Sequence, residues 1–124
     1  MTSKKEVSKL RIYKGYRIQN QIGGLVEVHD SEGNFEKVPV TESLYQGADG
    51  FEWGYGGAGP RQLAFSLLYD VTQNSELAAR NAQDFKWDVL ARIPMEDDWK
   101  LTTEEIVKWV IENSKETNPS PDLL

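Results

Sequence analysis

"FEWGYGGAGP", residues 51–60, decides the fold, because the hydrophobic period changes across it. Ahead of it apolar residues alternate with polar ones, as in strands. Behind it they recur every three or four residues, as in helices. Within it four glycines stand beside Trp53 and Tyr55 and run into Pro60. The stretch reads as a sharp corner between a sheet and a helix, or as a backbone cradle for an anion.

Towards the N-terminus, "LRIYKGYRI" (10–18) alternates at Leu10 and Ile12, breaks at Lys14-Gly15 and resumes through Tyr16 and Ile18. "LVEVHD" (25–30) sets Val26 and Val28 against Glu27 and His29. The cluster Asp30–Asn34 is a turn, and "FEKVPV" (35–40) is the returning arm. Pro39 cannot donate a ladder hydrogen bond, so that arm is an edge strand or ends there.

Towards the C-terminus, Pro60 suits the first position of a helix, with Gly59 just before it. Leu63, Ala64, Leu67, Leu68 and Val71 repeat at helical steps, and Phe65 adds a second apolar face, so this helix is central. "VTQNS" breaks the pattern. Ala78, Ala82, Phe85, Val89 and Ile93 form the stripe of a second helix, ended by Pro94. Thr102 and Glu105 fit a capping box, with Leu101 placed to staple onto Ile106. Ile106, Val107, Val110 and Ile111 are the predicted buried face of this third helix.

Strands first and helices afterwards predict an α+β domain. Its N-terminal antiparallel sheet has three to four strands, and three C-terminal helices pack on one face. No strand is predicted after Pro60. The expected layout is a flexible N-terminus over 1–8, a single domain over 9–115 and a disordered tail over 116–124.

Composition narrows the function classes. The chain has 124 residues, 39% hydrophobic and 27% charged, which suits one globular domain. It has no cysteine, which excludes disulfides and thiolate metal sites and fits a cytoplasmic protein. No apolar region follows the basic residues of the N-terminus, so no signal peptide is read, and no stretch approaches a membrane span. A net charge of −6 argues against nucleic-acid binding through bulk electrostatics. No cofactor or metal is expected.

Gly54, Gly56 and Gly59 match G-x-G-x-x-G, but the dinucleotide fingerprint needs parallel strands on both sides of its helix, and here helix follows helix. The Walker pattern fails as well, since Pro60-Arg61 stands where Lys and Ser or Thr belong. A weaker anion site survives, built from backbone N–H groups around Gly56, Gly57 and Gly59, a helix start and Arg61. The plainer reading is that the glycines let Trp53 and Tyr55 pack tightly at the corner.

"GFEWGYGGAGPRQLAFSLL" (50–68) resembles the signature of an uncharacterised family of small prokaryotic and phage proteins, approximately G-F-x-W-G-Y-G-G-S-G-P-x-Q-L-A. The resemblance continues through "DFKWDVLARIP" and "DDWKLTTEEIVKWV" and covers Tyr13 to Val110. It implies a shared fold and brings no activity with it. Ala58 replaces the family's usual serine, which counts against a serine nucleophile.

Other chemistry is sparse. His29 is the single histidine, so it has no partner for triad or zinc geometry. Asp49 and Glu52 flank the loop and would serve as acid and base if a substrate docked there. The carboxylates of "MEDDW" (95–99) sit where acidic residues commonly precede a helix. Trp53 and Tyr55, beside glycines that give little cover, are read as exposed ligand contacts.

The favoured function is therefore a non-enzymatic binding module using Trp53, Tyr55, Gly56, Gly57, Gly59 and Arg61 for an anionic ligand or a partner protein. The alternatives are a small hydrolase or transferase using Asp49 or Glu52, and an acidic phage or mobile-element protein that blocks a host factor. A homodimer through the "FEKVPV" edge is the expected route to self-association.

Overall fold

The computed structural model describes residues 10–19, 23–38 and 51–114. Pro39, Asp49, Gly50 and the predicted terminal segments 1–8 and 116–124 lie outside the described residues. Four strands, β1 (Arg11–Arg17), β2 (Gly24–Asp30), β3 (Phe35–Lys37) and β4 (Trp99–Thr102), form one antiparallel sheet in the order β3-β2-β1-β4. Three helices, α1 (Ala58–Thr72), α2 (Ser75–Asp88) and α3 (Thr103–Asn113), complete an α+β fold.

One strand was not expected. β4 lies between α2 and α3 and pairs antiparallel with β1. It is only four residues long, and its last residue, Thr102, is also the cap of α3. The helix-start signal masked the strand. Because β4 is antiparallel, the sheet does not become a doubly wound one.

Register explains the core. Tyr13 stands between Val28 and Leu101, and Gly15 between Val26 and Trp99. Tyr13, Val26 and Val28 are buried with the helical residues Leu63, Leu67 and Phe85. β1 therefore turns the opposite face inward from the one its apolar alternation marks: Leu10 is 55% exposed, and Lys14-Gly15 is continuous strand. At Gly15 and Gly24 the inward face has no side chain of its own, and two indoles fill the space. Trp99 lies over Gly15, where a Cβ would come within 2.2 Å of the indole, and Trp53 lies over Gly24 at the same distance. The two indoles meet edge to face at 5.6 Å, a favoured aromatic geometry.

The turn at Asp30 forms as read. Its carboxylate accepts the N–H groups of Glu32 and Asn34, both at 2.9 Å, and Gly33 takes a φ of +92°. Burial alone would raise the Asp30 carboxyl, but these donors and the Gly33 N–H hold it below the ordinary carboxylate range.

α1 starts two residues earlier than predicted, with Gly57 as its cap and Pro60 inside the first turn. Proline is tolerated there because the first N–H groups of a helix have no intrahelical acceptor. Leu63, Ala64, Phe65, Leu67 and Leu68 are all buried, so α1 is the central helix. Gln73 closes it in the left-handed region, and the Asn74 side chain caps α2 by accepting the Leu77 N–H at 3.0 Å.

α2 buries Ala78, Ala82 and Phe85 but stops at Asp88, where the stripe predicted helix to Ile93. A 3-10 turn, Leu90–Arg92, follows. There the Leu90 carbonyl turns aside to accept the Gly54 N–H at 2.9 Å. α3 carries the predicted capping box, Thr102 and Glu105 exchanging bonds of 3.0 and 2.8 Å. Its inward side chains are Ile106 and Trp109, with the Trp109 N–H on Asp88 at 2.9 Å and the ring edge-on to Phe85. Val107 and Ile111, predicted as buried, face outwards. Among the described residues no helix is long and apolar enough to cross a membrane.

Candidate functional site

The glycine loop leaves the sheet at Phe51, whose carbonyl accepts the Gly24 N–H at 2.8 Å, and enters α1 at Gly57. Trp53 turns inward and is fully buried, its indole N–H donating to the Asp97 carbonyl at 2.8 Å. This corrects the expectation that Trp53 is an exposed contact. The cover comes from other segments: the Arg17 guanidinium lies 4.0 Å from the ring centre, and Trp99 packs against it.

Arg17 binds this corner together. Its Nε donates to the Met95 carbonyl at 2.6 Å, Nη1 to the Glu52 carboxylate at 2.6 Å and Nη2 to the Trp53 carbonyl at 3.2 Å. Its backbone N–H donates to Asp98 at 2.8 Å. Glu52, weighed as an acid or base, and Asp98 of the "MEDDW" stretch are thus engaged by one arginine.

Gly54 is where the loop needs glycine for its backbone angle, with a φ of +90°. A Cβ there would also stand 2.6 Å from the Met95 Cα. Gly56, Gly57 and Gly59 serve close approach instead: a Cβ on them would meet the Trp87 ring at 2.2 Å, the Tyr55 ring at 2.9 Å and the Glu52 Cβ at 2.8 Å. Side chains therefore occupy the space the missing Cβ atoms leave.

The result is an aromatic surface on a tightly held backbone. Tyr55 is 40% exposed, Trp87 51% and Met95 47%, and all three flank residues 54–57. Burial, and then the nearby Glu52 carboxylate, push the Tyr55 phenol up, so it presents a neutral hydroxyl. Positive charge lies close by. Lys86 is buried, donates to Gln83 at 3.2 Å and sits 4.5 Å from the Trp87 ring centre. Burial, and then the neighbouring Arg61 charge, hold its ammonium below the ordinary lysine range. α1 has no acidic residue in its first turn, whereas α2 has Glu76 and α3 has Glu104 and Glu105. The positive end of α1 thus adds to these cations unopposed by its own side chains.

Of the residues singled out in the sequence, Tyr55, Gly56, Gly57 and Gly59 share this stretch, and Arg61 lies just inside α1. Trp53 is beneath it, and Asp49 is outside the described residues. Trp87, Met95 and Lys86 were missed. Trp87 carried a legible signal, since it stands two positions past Phe85 and so across the helix from the buried stripe. His29 stacks on Phe35 at 5.0 Å and lies 3.0 Å from Glu27. Among the described residues no group of three or more metal-type ligands occurs.

No curated protein and no solved structure gives a significant match to the chain. Residues 13–112 do match one family, and the chain belongs to it: the Family of unknown function (DUF6166).

Proposed function

We propose that this chain is a non-enzymatic binding module whose contact face is the glycine loop. Tyr55 is at the centre of that face, Trp87 and Met95 flank it, and Arg61 and Lys86 lie alongside. The observation that carries this reading is the gathering of three large exposed side chains around four tightly packed backbone residues. Rigid aromatic side chains provide contact area at little entropic cost, and neighbouring cations select for a carboxylate or phosphate on the target. The target is thus an anionic group beside an apolar surface, on a small ligand or on a partner protein. Trp53 supports the face from below.

An acid-base reading finds little support, because the Glu52 carboxylate is held 2.6 Å from the Arg17 guanidinium. Nor does a decoy that blocks a host factor through acidic charge suit this face, whose exposed centre is aromatic.

The test is a thermal-shift and fluorescence titration with inorganic phosphate, nucleotides and a polyglutamate peptide, at constant ionic strength. At least one probe should raise the melting temperature and perturb the indole emission. Trp87→Ala or Arg61→Ala should weaken that response about tenfold, or 1.4 kcal/mol, with each variant's shift read against its own Tm in the absence of probe. Equal responses from wild type and both variants would remove the loop from the binding face.

A further inference from the structure

Val107 and Ile111 are 38% and 77% exposed on the outer side of α3. With Leu10 and Val71 they line an open groove of about 720 Å³, along which Lys108 and Glu112 also stand. Large exposed apolar side chains gathered in one patch mark an interaction surface more often than isolated ones do.

We propose that this groove is a homodimer interface in which α3 packs antiparallel against α3 of a second copy. Val107 and Ile111 are one helical turn apart and form an apolar ridge. Glu104, Lys108 and Glu112 form a second row at the same spacing beside it. In an antiparallel pair related by a two-fold axis each patch meets itself, so the charged row must complement its own copy. An axis at the level of Lys108 opposes lysine with lysine. An axis at the level of Val110 instead sets Lys108 opposite Glu112 of the second copy, makes that pair twice, and brings the two Ile111 side chains together.

The other route to self-association is weaker. β3 is an edge strand, but it has only three residues, Phe35, Glu36 and Lys37. Antiparallel pairing with its own copy would set Glu36 against Glu36, and like charges directly opposite oppose strand pairing. The helix face has no such conflict. An eleven-residue helix is about 16 Å long, less than a standard interface uses, so the dimer is a weak one that forms at high concentration.

Sedimentation velocity from micromolar to millimolar protein tests this. The wild type should shift from monomer to dimer across the series. Ile111→Glu and Lys108→Glu should each weaken association about tenfold or more, with unchanged helix content and melting temperature because both side chains are exposed. The charge exchange K108E/E112K should restore association, since each new glutamate again meets a lysine of the second copy. A protein monomeric throughout would overturn the proposal. So would a dimer indifferent to Ile111→Glu, or a charge exchange that fails to rescue Lys108→Glu.

Discussion

β1 has an arginine at each end, both on the face that carries Tyr13 and Gly15, and the two are used differently. Arg17 donates from all three guanidinium nitrogens, to Glu52, Trp53 and Met95, and lies over the Trp53 ring. Arg11 shares one nitrogen between Tyr13 at 3.4 Å and Asp70 at 3.2 Å, while its Nε is buried without a partner. The planar fork of Arg17 meets two segments distant in sequence, so one side chain seats the glycine loop and the 95–98 turn on the sheet. The Arg11 side chain ties β1 to α1 alone. The loop end of the molecule is thus closed by a cation, and the opposite end by the Tyr13–Asp70 hydrogen bond of 2.5 Å.

The largest effect tests that inequality directly. Arg17→Ala leaves a carboxylate and two carbonyls without their donor in a partly buried setting, which costs about 3 kcal/mol. The melting temperature should fall by roughly 10 °C. Arg17→Lys should recover little, because an ammonium cannot reproduce three fixed donor directions. Arg11→Ala, which breaks one partly exposed pair, should cost about 1 kcal/mol. Urea melts of the three variants side by side are the check, and equal losses at Arg11 and Arg17 would break the comparison.

A smaller effect shows whether the loop is also gripped from its far side. Gly54→Ala places a methyl group against the Met95 backbone and a non-glycine residue at a φ of +90°. Strain of that kind together with a backbone clash costs about 2 kcal/mol. The two nearest atoms, Met95 Cα and the Ile93 carbonyl oxygen, belong to the backbone, so side-chain repacking cannot absorb it. A thermal melt close to wild type would mean that Arg17 alone holds the loop.

Much of this was readable in the chain, and the failures share a cause. Local chemistry was legible where it acts within a few residues: the Asp30 turn, the Thr102–Glu105 capping box, and α1 as a helix apolar on several sides. What escaped depends on side chains arriving from distant sequence. Gly15 and Gly24 look like interruptions in a strand, yet each is the seat of an indole supplied by β4 or by the glycine loop. Trp53 looks poorly covered because Arg17 and Trp99 lie 36 and 46 residues from it, which the numbering alone shows. Val107 and Ile111 fit the spacing of a buried stripe as well as Ile106 and Val110 do. Period alone cannot say how wide a stripe the fold covers. For the candidate site, the glycines and Tyr55 were legible as a cluster, whereas Trp87, Met95 and Lys86 join it only through the packing of α2 and the turn after it.

The smallest effect at neutral pH lies at the Arg11 end and has the sharpest pH signature. Tyr13 is fully buried; burial first, then the hydrogen bond and charge of Asp70, push its phenol far above the ordinary tyrosine range. Near pH 7 the phenol is protonated in both folded and unfolded chains, so Tyr13→Phe loses only a hydrogen bond, about 1 kcal/mol. Above the unfolded value of about 10 the unfolded chain releases the proton and the folded chain retains it. Stability contributed by this raised pKa is therefore intact below pH 10 and drains away above it, by up to about 1.4 kcal/mol per pH unit. The phenylalanine variant has no such proton to lose. Urea melts from pH 7 to 11.5 should show wild type ahead at neutral pH, the two curves meeting between roughly pH 10 and 11, and the phenylalanine variant ahead beyond that. Parallel curves would mean that the Tyr13 proton leaves as easily from the folded chain as from the unfolded one. The phenol–carboxylate bond could then not be what closes the Arg11 end.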